Sequence, residues 1–499
     1  MRTIRPLVLV QGLAKIVPLV GVMALLSMPV AIYFGEYYTL LPLLGAVVGS
    51  FGLGGLFYWP TRHAPQDADL KESMVIAASG WLLVSILGAL PFSLVALILA
   101  NDPATPVTIL NFLDPINSFF ESISGFTGTG LTMTVHENLL PHTLQWWRSF
   151  IQWIGGVGVI VLALSILFRP GSGSYTLYTS EAREEKIHPS VVSTVRTIWW
   201  IFGLYTLLSF IVLWIVGMGP WDALNHAMTG IATGGFSVTD NSIGTYDSPL
   251  IEMALLPIML FGAVSFAVHY NLLTARFEQL RRDLQTKWLF VYSLLGTLLL
   301  SGANYVIMGF VRSTRVSAFQ LVSGITCTGF QSDAIGEWTA AAQLIMVVAM
   351  VGGGAAGSTA GGLKVIRTLL LAKGIGWHMK ELVSSPNVVL RFELGDSSLS
   401  RDEAVDRFKD AAILFLLWIV FLFLGVILLD LSTPKRFTLS EVVFEVASAQ
   451  SNVGLSAGIT GPGMTPWNKI ILCFNMWIGR LEIIPVLFLL RSLLMRKSS

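Results

Sequence analysis

Long apolar stretches alternate with short polar stretches along almost the whole chain. Nine stretches of about 20 residues lack Asp, Glu, Lys and Arg, and a tenth carries only two such residues. A helix needs about 20 mainly apolar residues to cross the hydrocarbon core of a bilayer. The pattern therefore predicts ten membrane-spanning helices. They cover residues 16–34, 37–61, 73–101, 149–168, 197–221, 253–275, 288–311, 338–363, 411–429 and 470–490.

The charges are few and are distributed unequally between the predicted loops. Only 12% of the 499 residues are charged, against about 25% in soluble proteins. Alternate loops differ in sign, and basic loops stay in the cytoplasm, which places both termini on the cytoplasmic side. The basic loops are residues 62–71, 169–186, 276–287 and 373–409, with the tail 491–497.

Composition also excludes several functions. The net charge of +1 leaves no basic surplus for binding nucleic acid. Cys327 and Cys473 are too few for a disulfide framework. No phosphate-binding glycine motif follows a strand, so any regulatory nucleotide must bind another polypeptide. No Ser/His, His/Glu or paired-Asp constellation lies on facing helices, which argues against an intramembrane enzyme.

Four nonapeptides in the chain resemble one another without gaps. Each begins with Ser or Thr and a small residue, and has Gly at its seventh place followed by Leu or Phe. Two predicted spans separate consecutive copies, which indicates four copies of one span–loop–span unit. The copies are loop 1 (residues 124–132, SGFTGTGLT), loop 2 (229–237, TGIATGGFS), loop 3 (323–331, SGITCTGFQ) and loop 4 (448–456, SAQSNVGLS).

The segment before each loop is predicted to be a helix too short to cross the membrane. These segments are residues 115–126, 220–232, 316–326 and 439–450. Each carries one polar side chain in register: Glu121, His226, Gln320 or Glu445. Irregular backbone at membrane depth is tolerated where it lines water, and backbone carbonyls can replace the water around a cation. Glycines packed between helices are the alternative for one copy, but four aligned copies favour a pore.

The predicted fold is an all-α membrane protein of ten transmembrane helices and four re-entrant pore helices. Four pseudo-symmetric repeats surround one pore, and two extra spans precede them. The predicted divisions are residues 1–70 for the extra spans, then 71–170, 190–280, 284–375 and 400–499 for repeats 1 to 4.

The second span of repeat 3 contains a glycine-rich interruption, residues 351–364, called here the glycine segment. Each glycine costs a helix about 1 kcal/mol relative to alanine, so this helix is predicted to break; a flexible kink is the alternative. Its candidate residues are Gly352, Gly353, Gly354, Gly357, Gly361, Gly362 and Lys364. Lys364 either anchors the helix at the cytoplasmic edge of the membrane or faces the ion pathway.

Arg480 and Glu482 lie in the last span, where charge is usually functional. Because they are two residues apart, they are expected to meet different partners.

The four loops and several further stretches resemble the Trk/Ktr/HKT superfamily of potassium transporters, most closely the TrkH/TrkG-type subunit. Further matching stretches are residues 147–167 (WRSFIQWIGGVGVIVLALSIL), 351–367 (VGGGAAGSTAGGLKVIR) and 479–483 (GRLEI). The resemblance implies potassium uptake across a bacterial inner membrane, with K⁺ as the transported ion and no organic cofactor on this chain. It also implies a homodimer in the lipid membrane and a cytosolic, nucleotide-binding, TrkA-like regulatory subunit.

The resemblance further implies a potassium-selective filter at the two residues before each loop glycine and at the glycine itself. These residues are Gly128, Thr129, Gly130, Thr233, Gly234, Gly235, Cys327, Thr328, Gly329, Asn452, Val453 and Gly454. Gly128 stands where Thr is more usual in the family, whereas Gly rather than Ser at position 130 favours potassium over sodium. The glycine segment is implied to gate the pore. Arg480 is implied to brake cations near the filter; a structural ion pair with Glu445 or Glu121 is the alternative.

Two other functions account for the four loops less well than a gated pore. A proton- or sodium-coupled cation symporter predicts paired half-helices and buried carboxylates at the membrane midplane, rather than four similar loops. A scaffold or receptor subunit gives no reason for these loops.

Overall fold

Helices form nearly all of the regular structure in this computed structural model, which describes residues 5–64, 68–158, 187–188, 190–384, 392–394 and 397–495. The helices other than those before the four loops are Pro6–Ile16, Pro18–Tyr33, Leu40–Thr61, Leu70–Gly88, Leu90–Leu99, Val107–Leu110, His142–Val157, Val191–Ile215, Pro249–Ala263, Phe266–Leu273, Phe277–Arg282, Leu284–Met308, Ala340–Gly352, Val365–Val383, Arg401–Asp430, Pro466–Arg480 and Ile484–Met495. Strands Phe392–Leu394 and Ser397–Leu399 form one antiparallel hairpin.

Six helical segments in the described residues are long and apolar enough to cross a membrane. They are Pro6–Tyr33, Tyr37–Thr61, Leu70–Leu99, Val191–Ile215, Leu284–Met308 and Arg401–Asp430. Two more pass the same test only as bent pairs, Pro249–Ala263 with Phe266–Leu273 and Pro466–Arg480 with Ile484–Leu494. Much of the predicted span 149–168 lies outside the described residues, so the count of ten spans stays a prediction.

Local sequence signals account for several helix starts. Asp69 with Glu72, Ser400 with Glu403 and Thr438 with Glu441 each form a capping box. In this motif the first side chain accepts a backbone N–H of the first turn, and the acidic side chain returns to the cap residue. Arg5 also binds Glu72, with Nη2 2.7 Å from Oε2, and so ties the start of the chain to the first helix of repeat 1.

Four helices, called short helices 1 to 4, immediately precede the four loops. They are Pro115–Thr127, Pro220–Ile231, Phe310–Ile325 and Leu439–Gln450. Short helix 3 begins at Phe310 rather than at residue 316. Each short helix packs against the helix that precedes it in its own repeat and against the second helix of the neighbouring repeat. For short helices 1 to 4 the latter are Pro466–Arg480, His142–Val157, Pro249–Ala263 and Ala340–Gly352. Because short helix 1 packs on the last repeat, the four repeats close a ring.

The second helix of every repeat ends or bends soon after it passes its loop. In repeat 1 the helix ends at Val157 and in repeat 3 at Gly352, and each is followed by a glycine with positive φ, Gly158 or Gly353. In repeats 2 and 4 the chain bends by 108° and 115°. The sequence predicted a break only in repeat 3, because only there does a run of glycines announce it.

Two tryptophans on the second helix of repeat 1 bind helices that precede it in the chain. Trp147 is fully buried and donates Nε1–H to Gly88 O at 2.9 Å. Trp146 donates to Ser27 Oγ at 3.2 Å. Because tryptophans are enriched at membrane interfaces, the sequence alone predicts that Trp146 and Trp147 are interfacial anchors. The burial of Trp147 shows that it is a packing residue instead.

Candidate functional site: a ring of four glycine loops

The four loop glycines lie in a closed ring of backbone contacts. A Cβ atom added to Gly130 would be 2.2 Å from Gly234 O, and one added to Gly235 would be 2.1 Å from Thr328 O. A Cβ on Gly329 would be 1.9 Å from Val453 O, and one on Gly454 would be 2.1 Å from Thr129 O. Each glycine thus faces the carbonyl that precedes the next glycine, in the order of repeats 1, 2, 3, 4 and back to 1.

The four loops share one backbone conformation although their sequences differ. The residues two before the glycine, Gly128, Thr233, Cys327 and Asn452, have positive φ of 69°, 51°, 56° and 55°. The glycines Gly130, Gly235, Gly329 and Gly454 have positive φ of 93°, 78°, 83° and 93°. A residue other than Gly pays about 1–2 kcal/mol for this left-handed conformation. Gly128, which departs from the family pattern, therefore relieves a strain that loops 2, 3 and 4 retain.

The hydroxyl residue that begins each nonapeptide holds its own loop in shape. Ser124 Oγ accepts the N–H of Gly130 at 3.1 Å, and Ser448 Oγ accepts that of Gly454 at 3.0 Å. In loops 2 and 3 the hydroxyl instead donates past the glycine, from Thr229 to Phe236 O and from Ser323 to Phe330 O, both at 2.8 Å. The hydroxyl side chain shared by the first residue of all four loops therefore has a direct structural cause.

The in-register polar residues of the short helices bind the chain that leaves each loop. Glu121 accepts Met133 N–H at 2.7 Å, and Gln320 accepts Ser332 N–H at 2.7 Å. His226 Nε2 lies 2.9 Å from Ser237 Oγ, and Glu445 accepts Ala457 N–H at 2.9 Å. All four polar side chains are fully buried. They fix the exit of each loop, whereas the hydroxyls bind the loop at its glycine or at the residue that follows.

Arg148 is a functional candidate that the sequence reasoning missed. It is 1% exposed and donates Nε–H to Glu121 at 2.7 Å. It also donates Nη1–H to Ser237 O at 2.7 Å and Nη2–H to Thr132 Oγ1 at 3.1 Å. One guanidinium therefore joins the exits of loops 1 and 2. The sequence signal is the position of Arg148 immediately before the predicted span 149–168, since the helix that contains it begins at His142.

A cavity of about 510 Å³ opens on the side of the ring where the chain leaves the loops. All four loop glycines line it, together with the carboxyl groups of Glu137, Asp240 and Asp333. Asp240 pairs with His136 and Asp333 with Arg312. Burial raises the pKa of Glu137 to about 7, against the opposing pull of Arg148. The cavity is thus a polar, net acidic space that ends at the glycines.

The glycine segment covers the opposite side of the ring. Gly362 N–H donates to Ser451 O at 3.0 Å, and a Cβ on Gly361 would be 2.1 Å from the same oxygen. Thr359 Oγ1 accepts from Thr233 Oγ1 at 3.1 Å and donates to Gly262 O at 2.8 Å. The predicted break between Gly352 and Val365 is therefore present, and the segment contacts loops 2 and 4 from below.

Arg480 and Glu482 lie at this lower side and meet different partners, as their spacing predicted. Arg480 donates to Thr359 O at 3.3 Å and to Gly156 O at 3.0 Å, and also to Gly155 O. Glu482 pairs with Arg367. Lys364 Nζ donates to Ala360 O. A small cavity of about 30 Å³ lies between Lys364, Arg480 and Glu482.

The two carboxyl groups that were the alternative partners of Arg480 bind other residues. Glu121 binds Arg148, and Glu445 accepts from Ser456 Oγ at 2.8 Å and from Thr460 N–H at 3.0 Å. Arg480 instead bridges the glycine segment and the second helix of repeat 1. It also lies over the ring of Trp81, 5.4 Å from the centroid.

Comparisons with known proteins agree with this architecture. A family model, TrkH, described as cation transport protein, matches residues 45–498. An uncharacterized cation transporter of Methanocaldococcus jannaschii is 34% identical over 487 residues, covering 96% of this chain and 94% of that protein. The Trk system potassium uptake protein TrkH of Escherichia coli K12 is 33% identical over 454 residues, covering 88% and 89%.

A solved structure is similar over almost the full length. The crystal structure of the potassium transporter TrkH from Vibrio parahaemolyticus superposes with a TM-score of 0.78 at 25% identity, covering 96% of this chain and 98% of that one. The apolar helices and these likenesses together show a multi-pass membrane protein.

The Arg148–Glu121 pair gives a stability prediction. Arg148→Gln leaves Glu121 buried without its cation and should destabilise the protein by about 3–5 kcal/mol. Glu121→Gln/Arg148→Gln removes both charges and should recover much of that loss. The matched control is Arg282→Gln, whose exposed pair with Glu278 is worth at most about 0.5 kcal/mol. Unfolding of the detergent-purified proteins measures the effect, and an Arg148→Gln protein as stable as the control would contradict it.

Proposed function

This chain belongs to the TrkH family of cation transport proteins, and on that premise we propose that it forms the potassium-conducting pore of a Trk-type uptake system. It is a transporter and not an enzyme. The observation that carries the proposal is the closed ring of glycines, in which each loop brings a backbone carbonyl against the glycine of a neighbouring loop. The choice of potassium as the transported ion comes from the relatives that are named as potassium uptake proteins.

The proposed potassium ligands are the carbonyls of the two residues before each loop glycine. Thr129, Gly234, Thr328 and Val453 supply the carbonyls that already face the ring. Carbonyl oxygens replace the water of a dehydrated cation. Each short helix ends at its loop, and the negative end of its dipole favours positive charge there. The acidic cavity above the ring would collect cations before they lose water.

Selectivity in this proposal depends on the absence of side chains at the ring. Gly130 and Gly235 each face a carbonyl of the next loop at a distance that leaves no room for a β-carbon. A Ser at either position would push that carbonyl outward. The ring would then lose the spacing that suits potassium.

The glycine segment is the proposed gate. It lies across the ring and is held by backbone hydrogen bonds to loop 4 and to Ala263. Few side chains anchor it, so a modest pull on the following helix Val365–Val383 would be transmitted to Gly362 and Ser451. Arg480 donates to the same segment at Thr359. Its positive charge beneath the ring would slow cations while the segment is in place.

The proposed cellular setting is a bacterial inner membrane, with both termini in the cytoplasm and two copies of this chain per assembly. A cytosolic, nucleotide-binding TrkA-like ring would dock on the basic surface at Arg281 and Arg282, both exposed, and on residues 374–409. Within the latter range a small cluster packs Phe392 and Leu399 on Leu370. This docking surface follows the predicted cytoplasmic side of the chain.

The ring predicts the effect of added β-carbons. Gly130→Ser and Gly235→Ser should each raise sodium permeation relative to potassium by about tenfold, equivalent to ~1.4 kcal/mol. Gly461→Ser is the control, because a Cβ there has no atom within 4 Å. Potassium and sodium flux into liposomes is the measurement. If all three variants keep the wild-type flux ratio, the filter lies elsewhere.

The gate is tested by two substitutions within the glycine segment. Gly361→Ala places a Cβ 2.1 Å from Ser451 O, whereas a Cβ on Gly352 meets nothing within 4 Å. Gly361→Ala should displace the segment and increase potassium flux without the regulatory partner, while the potassium-to-sodium ratio stays as in the wild type. Gly352→Ala should behave as the wild type, because Gly352 is the last residue of the helix Ala340–Gly352 and precedes the break. Identical leak from both variants and the wild type would argue against a gate.

The docking surface is tested by charge reversal. Arg281→Glu/Arg282→Glu should weaken co-purification of the regulatory partner from membranes, since a basic surface would become acidic. Lys435→Glu/Arg436→Glu is the matched control, because this exposed pair precedes short helix 4 on the predicted opposite side. Equal recovery of the partner with both double variants would exclude the proposed surface.

A further inference from the structure

Gln152 is a buried side chain that spans one loop of the ring from behind. It lies on the helix His142–Val157 of repeat 1 and is fully buried. Its Nε2–H donates to Gly234 O at 2.6 Å, and its Oε1 accepts Phe236 N–H at 2.9 Å. The amide therefore binds the backbone on both sides of Gly235. Gly234 O is also the carbonyl that faces Gly130 in the ring.

Loop 2 differs from the other loops at the position that Gln152 contacts. The residue before the glycine is Thr129, Thr328 or Val453 in loops 1, 3 and 4, but Gly234 in loop 2. A Cβ on Gly234 would lie 2.2 Å from both Cγ and Cδ of Gln152. The glutamine thus occupies the space that the loop's own side chain fills in the other three.

The corresponding side chains of loops 1 and 3 make polar contacts with other loop residues. Thr129 Oγ1 lies 2.7 Å from Thr127 Oγ1 and accepts from Asn452 Nδ2 of loop 4 at 2.9 Å. Thr328 Oγ1 lies 2.8 Å from Thr326 Oγ1. Loops 1 and 3 are therefore held at this position by residues of the loops. Loop 2 is held at the same position by a residue of a helix outside the four loops.

We propose that Gln152 is a specificity-determining residue of the pore, which replaces the missing side chain of Gly234 and fixes the Gly234 carbonyl in the ring. The proposal rests on the proposed potassium-conducting function. A carbonyl has two lone pairs, so Gly234 O accepts from Gln152 and keeps a second lone pair for the ion. The donor also fixes where that oxygen lies. Without it, loop 2 can move inward around a smaller cation, and the preference for potassium over sodium falls.

The first test removes the amide and keeps its volume. Gln152→Leu should lower the potassium-to-sodium flux ratio in liposomes by about three- to tenfold, the range that one net hydrogen bond represents. Gln145→Leu is the matched control. It lies on the same helix and also loses two hydrogen bonds, to Glu137 O and to Trp221 Nε1, but neither bond is in the ring. Its flux ratio should equal that of the wild type.

The second test exchanges the two side chains. Gly234→Thr alone should abolish potassium flux, because its side chain overlaps that of Gln152. Gln152→Ala/Gly234→Thr vacates that space, makes loop 2 resemble loops 1 and 3, and should restore potassium-selective flux. A merely structural role for Gln152 predicts no such rescue of selectivity.

The outcomes separate this proposal from the function on which it rests. If Gln152→Leu keeps the wild-type flux ratio, or if the double variant is no better than Gly234→Thr alone, Gln152 does not determine specificity. If Gln152→Leu does not yield monodisperse protein, Gln152→Asn, whose amide is one methylene too short to bridge both groups, replaces it with the same criterion. If the wild type itself shows no potassium selectivity, the proposed function fails instead.

Discussion

The close approach of four backbone loops is the constraint on which the rest of the structure depends. Each loop glycine lies so near a carbonyl of the next loop that a single added carbon atom would overlap it. Such contacts are possible only if the loops neither carry side chains at this point nor move apart. The surrounding structure therefore has to supply hydrogen bonds to irregular backbone deep inside the protein.

Three layers of buried polar contacts meet that demand. Hydroxyls such as Ser124 and Thr229 bind each loop around its glycine, and the polar residues of the short helices, such as Glu121 and Gln320, bind the chain as it leaves. The helix His142–Val157 of repeat 1 adds the third layer through Arg148 and Gln152. The pattern of the first two layers is repeated four times. The third layer is asymmetric, because it is built by one helix against loops 1 and 2.

The sequence predicted the repeated features and missed the asymmetric ones, for a physical reason. Four aligned copies reveal glycines, hydroxyls and in-register polar residues, because each must satisfy the same local geometry. Arg148 and Gln152 act between repeats and have no counterpart at a fixed spacing, so periodicity cannot find them. The bend in the second helix of repeat 4 was also missed, since Glu482 and Ile483 take positive φ without glycine. The sequence alone wrongly predicted Trp147 as an interfacial anchor, because its burial depends on helices that are distant in the sequence.

The most direct test of the account is a flux measurement on the purified wild-type protein. The protein is reconstituted into liposomes loaded with potassium, and ion movement is driven by the membrane potential in the absence of a proton or sodium gradient. The account predicts electrogenic potassium flux that clearly exceeds the sodium flux measured in parallel liposomes. Equal fluxes of the two ions, or potassium movement only when a proton or sodium gradient is imposed, would contradict a selective pore formed by the four loops.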